Sequence, residues 1–145
     1  MFSSETFIRV RYAETDQMGY VYYGNYPTYY EVARVETMRK LGYSYQTMEE
    51  EGIMMPVIHV ESIYKRAAHY DELLMVRTII KEIPAARMTF YYEIYNDKKV
   101  LLHTGSTTLA FMRSDNRRPC RCPENFRRIL ESYINPAENV LNAQK

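Results

Sequence analysis

The residue whose type and position could do chemistry is Asp16, a carboxylate in a loop that runs into a helix start. The stretch reads Tyr12-Ala-Glu-Thr-Asp16-Gln-Met-Gly19-Tyr-Val-Tyr-Tyr23-Gly24-Asn25-Tyr-Pro27. A carboxylate there can attack a carbonyl or deprotonate water. The free N–H groups and positive dipole end of the following helix can hold the oxyanion that develops. Asp followed by Gly within four residues is equally what a turn uses for purely local reasons. The residues alone leave both roles open.

The element that must position this loop is the helix behind it. It starts between Gly24 and Pro27, with Asn25 as the expected N-cap and Pro27 in the first turn, where a missing N–H costs nothing. Arg39 and Lys40 suit its negative end, Gly42 supplies a left-handed stop, and Glu36 stands four residues before Lys40. Its apolar set, Tyr26, Tyr29, Tyr30, Val32, Ala33, Val35, Met38 and Leu41, is wider than one stripe, so the helix should be largely surrounded. Glu31 is a helical carboxylate with Arg34 three residues on, the spacing of a local ion pair.

Around that helix the chain is rich in strand patterns. Glu5 to Tyr12 alternates and reads as the first strand. Ser44 to Gly52 holds a helical turn with a solvated acidic run. Residues Ile53 to Ala68 are partly β, with Pro56 marking an edge or bulge. A turn at Tyr70-Asp71-Glu72 leads to a strand from Leu73 to Ile83, apolar on both faces and therefore central. Arg87 to Tyr95 alternates, Asn96-Asp97-Lys98-Lys99 is a hairpin turn, and Val100 to Arg113 is the last long strand, with Gly105 at a bulge or close approach. Pro123 opens a short helix to about Tyr133. One strand, a long helix and four strands give an α+β layer: a five-stranded antiparallel sheet curled around the helix. Residues 1–133 form one domain and 134–145 a tail. One such unit leaves a sheet edge unpaired, which pairing two copies removes.

Composition narrows the function classes. The 145 residues carry a formal net charge of +1, which attracts neither nucleic acid nor membrane. No stretch approaches the ~20 apolar residues of a membrane span, and no leader is evident, so a soluble cytoplasmic protein without membrane insertion is expected. Cys120 and Cys122 are too close for an unstrained disulfide. With three scattered histidines they complete no metal site, so free surface thiols and no cofactor are expected. His59, His69 and His103 read as structural. Fifteen tyrosines without a tryptophan fit an interface or a ligand cleft.

The run Asp16-Gln-Met-Gly19-Tyr-Val21-Tyr-Tyr23-Gly-Asn25-Tyr26, with Tyr30-Glu31 and Arg34 beyond it, resembles the signature of the 4-hydroxybenzoyl-CoA thioesterase family. The likeness is specific at the motif and continues more loosely to about Pro123. It implies a hotdog fold, a homodimer with a continuous sheet (sometimes doubled to a homotetramer) and hydrolysis of acyl-CoA. It also implies catalytic roles for Asp16, as nucleophile or general base, and for the Tyr23 backbone N–H, helped by Gly24, as oxyanion donor. It leaves Glu31 either a helical carboxylate with a catalytic role, as in some hotdog enzymes, or half of the local ion pair with Arg34. Many relatives carry His where this chain has Tyr23, and roles of that imidazole do not transfer, whereas the backbone N–H survives the change.

Basic residues at Lys65-Arg66, Arg87 and Arg113-Arg117-Arg118-Arg121 read either as solvated charge or as phosphate contacts. The resemblance makes Lys65, Arg66, Arg87, Arg117 and Arg118 candidates for the coenzyme A nucleotide. Nucleic acid fits less well, because the aromatics alternate in strands instead of forming a basic stacking stretch. The other functional reading is a hotdog protein that binds acyl-CoA or acyl carrier protein without turnover.

Overall fold

Period-two burial along the strands and period-four burial along one helix account for the architecture. A computed structural model describes residues 1–134. In chain order the elements are β1 (Phe2–Arg9), α1 (Tyr26–Leu41), α2 (Tyr45–Glu50), β2 (Ile53–Met54), β3 (Val57–Tyr64), β4 (Leu73–Ile80), β5 (Arg87–Tyr95), β6 (Leu101–Ala110), β7 (Met112–Arg113) and α3 (Glu124–Ile134). Of the tail expected over 134–145, Ile134 closes α3 and the remainder lies outside the described residues.

The main sheet has five antiparallel strands in the order β1-β4-β5-β6-β3. Leu74, Val76 and Ile80 of β4 and Met88, Phe90, Tyr92 and Ile94 of β5 are buried alternately against α1, which lies across the sheet. This is the expected α+β layer of a sheet wrapped around a long helix. Pairing follows the chain for β4, β5 and β6. It does not for β3, which follows the helical segment and the two-residue β2 yet lies on the far edge beside β6. β4 is flanked on both sides but buried on one face only, so it is less central than its composition implies.

Several local expectations change once tertiary partners are present. The first strand spans Phe2–Arg9 instead of Glu5–Tyr12, and Tyr12–Glu14 is a 3-10 turn. Asn25 stands at the N-cap position without capping: its backbone is already helical (φ −84, ψ −15), because a 3-10 turn at Tyr23–Asn25 runs straight into α1. Gly42 does terminate the helix, at φ +81, with its N–H on the carbonyls of Arg39 and Met38. Glu36 pairs with Arg39, while Lys40 donates to the Glu5 carbonyl. Val32 faces solvent, while Arg34 is buried on the opposite side of the helix. Cys120 and Cys122 are free, but Cys122 is buried in the core, where desolvation pushes its thiol up to about 12.

Gly105 is a true close approach. A Cβ there would lie 2.5 Å from Tyr30 Cζ and 2.9 Å from the Glu61 carbonyl oxygen. Edge strand β3 is exposed along almost its whole length, with Val57, Ile58, Val60, Ile63 and Tyr64 each open to solvent in a single chain. No helix among the described residues is long and apolar enough to cross a membrane.

Candidate active site

The motif loop folds through its own residues. Asp16 Oδ1 accepts the Met18 N–H at 2.9 Å, and the Asp16 carbonyl accepts the Gly19 N–H at 3.0 Å. Gly19 adopts φ +86, a conformation that favours glycine. The Asp16 N–H returns to the Tyr20 carbonyl at 2.9 Å, and a Thr15–Val21 bridge closes the loop. Asp16 therefore takes part in its turn through one carboxylate oxygen. Among the described residues Oδ2 has no protein partner.

The second limb of the loop is the 3-10 turn Tyr23–Asn25 at the mouth of α1. Among the described residues, neither the Tyr23 nor the Gly24 N–H has an acceptor, whereas the Tyr22 N–H goes to the Glu14 carbonyl and the Asn25 N–H to the Tyr22 carbonyl. Two free donors at a helix entrance are the requirement for holding an oxyanion. The Tyr23 ring is largely exposed, so its side chain is not committed to the core. The Tyr22 phenol is held above its usual range, first by the neighbouring Tyr23 phenol and least by the Asp16 charge.

Tyr64, at the end of edge strand β3, donates to the Tyr23 carbonyl at 3.0 Å. Its ring meets Tyr26 edge-on at 5.3 Å and His103 at 4.8 Å, and Tyr26 stacks on His103 at 4.0 Å. Burial pushes Tyr26 up to about 12 and holds His103 down to about 4, so at neutral pH both are uncharged.

Tyr26, Tyr30 and Arg34 recur every four residues and so line one face of α1. The Tyr30 hydroxyl bonds Ser62 Oγ at 2.7 Å and His103 Nε2. Its ring stacks on Tyr92 at 4.4 Å. Arg34, 7% exposed, donates to Tyr45 Oη at 2.9 Å, Tyr92 Oη at 3.1 Å and Thr107 Oγ1 at 3.3 Å. The expected Glu31–Arg34 ion pair does not form. Arg34 turns inward to hydroxyls on β5, β6 and α2, and Glu31 stays at the surface. Burial alone would lower the Arg34 pKa, but the Tyr92 and Tyr45 hydroxyls outweigh it and keep the guanidinium charged.

His103 is the histidine that sequence reasoning underrated. It is fully buried, and its Nδ1 has no partner among the described residues. A second unforeseen group is Glu14, a buried carboxylate two residues before Asp16. The Arg11 spacing at i−3 hinted at a pair, but nothing local signalled burial.

The candidate phosphate contacts divide into two groups. Lys65 and Arg66 follow β3, and both N–H groups reach the Leu102 carbonyl at the start of β6. The motif is at that end, because the Val21 N–H bonds the Ala68 carbonyl and Tyr20 bridges His69. Arg66 lines an open cleft of about 760 Å³ with His69, Glu72 and Lys98. Arg87 pairs with Ala110 at the other end of β6, and Arg117 and Arg118 lie in the loop after β7. From Leu102 to Ala110 is roughly 26 Å of strand. Within one chain, then, Arg87, Arg117 and Arg118 stand far from Asp16, while Lys65 and Arg66 stand near it. All five side chains are exposed.

A long helix wrapped by a five-stranded antiparallel sheet is the hotdog fold. The model of the thioesterase-like superfamily matches residues 10–130, and the chain belongs to that family of hotdog acyl-CoA thioesterases. It is 42% identical over 96 residues to the putative acyl-CoA thioesterase YneP of Bacillus subtilis, covering 66% of this chain and 70% of that protein. It is 31% identical over 121 residues to the acyl-CoA thioesterase YbgC of Haemophilus influenzae, covering 83% and 88%. Among solved structures, the DHNA-CoA thioesterase from Staphylococcus aureus superposes with a TM-score of 0.85 at 40% identity, covering 100% of this chain and 97% of that one.

Proposed function

We propose that this protein hydrolyses an acyl-CoA thioester at the mouth of α1, with Asp16 as the reacting carboxylate and the Tyr23 N–H, helped by Gly24, as oxyanion donor. That it is a thioester hydrolase acting on acyl-CoA follows from its family. The observation supporting the finer reading is the pairing of a carboxylate that has a free oxygen with two free amide donors on one short loop. In the general-base route Asp16 takes a proton from water, and the hydroxide adds to the thioester carbon. The carbonyl oxygen becomes an oxyanion on the Tyr23 and Gly24 N–H groups. Its collapse breaks the C–S bond, and the proton returns to the departing thiolate. In the nucleophilic route the carboxylate adds to the thioester carbon, and the oxyanion collapses with loss of the coenzyme A thiolate to give a mixed anhydride. Water opens that anhydride, releasing the acid and the Asp16 carboxylate, while the proton goes to the thiolate. A thiol leaves without a strong acid, since its intrinsic pKa is about 8.5.

The site is completed by a second copy. The exposed apolar edge β3 favours that copy as its partner, and a two-fold pairing of identical edges is necessarily antiparallel. Such pairing carries the Arg87, Arg117 and Arg118 end of one subunit to the motif end of the other. The two groups of basic residues, separated in one chain, then flank one site and are placed to meet the phosphates of coenzyme A.

The test is a panel of acyl-CoAs with a thiol reagent. The wild type releases thiol, whereas a binder without turnover releases none. Asp16→Asn should lose at least ~10²-fold in turnover. Tyr23→Phe should keep most activity, because the amide is unchanged. A normal rate in Asp16→Asn would remove that residue from the mechanism.

A further inference from the structure

Glu14 is a buried carboxylate that the hydrolysis does not use. It is 8% exposed and engaged on every side. Oε1 accepts the Arg11 N–H at 2.8 Å and the Tyr29 hydroxyl at 3.0 Å, and Oε2 accepts Arg11 Nη2 at 2.8 Å and Nε at 3.2 Å. Its backbone carbonyl receives the Tyr22 N–H at 2.9 Å and Asn25 Nδ2 at 2.8 Å. With both oxygens engaged it has no free lone pair aimed at substrate and is not a rival to Asp16 as base. Burial works to raise its pKa, but the hydrogen bonds from Arg11 and Tyr29 outweigh that and hold it below the usual carboxylate range.

The bonds of this one residue reach each part of the site. Tyr29 lies in the first turns of α1, Tyr22 immediately precedes the oxyanion turn, and Asn25 ends it. Arg11 and Glu14 begin the limb that carries Asp16. Asn25, freed from capping, spends its side chain on this joint.

We infer that Glu14 is a positioning residue: its carboxylate ties the Asp16 limb to α1 through Tyr29, its backbone carbonyl holds the oxyanion limb, and together they set the Asp16 carboxylate against the Tyr23–Gly24 N–H groups. The inference rests on the catalytic reading given above. The physical reason is that a reacting pair must be held to within a fraction of an ångström, and a misplacement of about 1 Å can cost ~10²-fold in rate. A residue acting only on that distance changes kcat and leaves ground-state affinity nearly alone, because coenzyme A is gripped elsewhere.

The experiment measures kcat, KM and the thermal midpoint for Glu14→Gln, Tyr29→Phe, Asp16→Asn and the Glu14→Gln/Asp16→Asn double variant. Glu14→Gln keeps the side-chain volume and one oxygen acceptor. It should lower kcat by roughly 10–10²-fold with KM within about threefold of wild type. Tyr29→Phe, which removes one bond to the carboxylate, should lower kcat in the same direction by less. In the Asp16→Asn background Glu14→Gln should have no further effect, since the group being positioned has gone. A folded Glu14→Gln with wild-type kcat, or an equal loss in both backgrounds, overturns the inference. Should Glu14→Gln fail to fold, Tyr29→Phe decides: a kcat equal to wild type overturns it. If Asp16→Asn itself keeps its rate, the catalytic reading falls and this inference with it, whereas an inert Glu14→Gln beside a dead Asp16→Asn removes this inference alone.

Discussion

Gly105→Ala should loosen the helix from the sheet. The added Cβ would sit 2.5 Å from Tyr30 Cζ, closer still to its hydroxyl, and 2.9 Å from the Glu61 backbone oxygen on β3. The ring cannot yield by a simple rotation, because it is stacked flat on Tyr92. Overpacking of this kind costs about 1–3 kcal/mol. Moving the hydroxyl also leaves His103, whose Nδ1 already lacks a partner, unpaired at Nε2. An orphaned buried polar group adds about 1–3 kcal/mol. The combined loss of roughly 2–6 kcal/mol corresponds to about 4–24 °C in thermal midpoint for a chain of this size. Circular dichroism melts at one fixed protein concentration measure it, since association raises the midpoint by mass action. Tyr30→Phe should cost about 1–3 kcal/mol in the wild type and almost nothing in Gly105→Ala, where its hydrogen bonds are already lost. A midpoint within about 2 °C of wild type, or additive costs in the double variant, would refute the reasoning.

Three further outcomes follow from the same contacts. His103 has a folded pKa of about 4 against 6.5 unfolded. The unfolded chain therefore binds the extra proton first, and stability should fall as pH drops from about 6.5 towards 4. Melts across that range should show a slope that His103→Gln flattens; an unchanged slope would exclude this histidine as its source. Tyr64→Phe removes the anchor of the Tyr23 carbonyl while keeping the ring packing, and should lower kcat several-fold with little change in melting; an unaltered kcat would free the oxyanion turn from that anchor. Val60→Lys places a charge on the exposed apolar edge β3 and should weaken self-association, with activity falling in parallel across a dilution series followed by light scattering. A fully active monomer would remove the shared site.

What the sequence determined was local. The Asp16–Gly19 turn, the Gly42 stop, the alternation of β5 and the turn at Asn96–Lys99 each depend on residues within a few positions of one another. Backbone preference and side-chain period suffice there. The motif itself carried the family. Tertiary structure decided whatever needed partners from distant parts of the chain. Asn25 reads as a cap, but Glu14, eleven residues earlier, offers its carbonyl and takes the side chain. Arg34 reads as the partner of Glu31, yet hydroxyls at Tyr92 and Thr107 draw it into the core. Glu14 looks like an ordinary surface acid until Arg11, Tyr29 and the loop enclose it. The basic residues look like one set, and the sheet separates them by the length of a strand. Which donors surround a buried charge, and which strand ends up at the far edge, are set by the packing of the whole chain; no window of neighbouring residues contains that information.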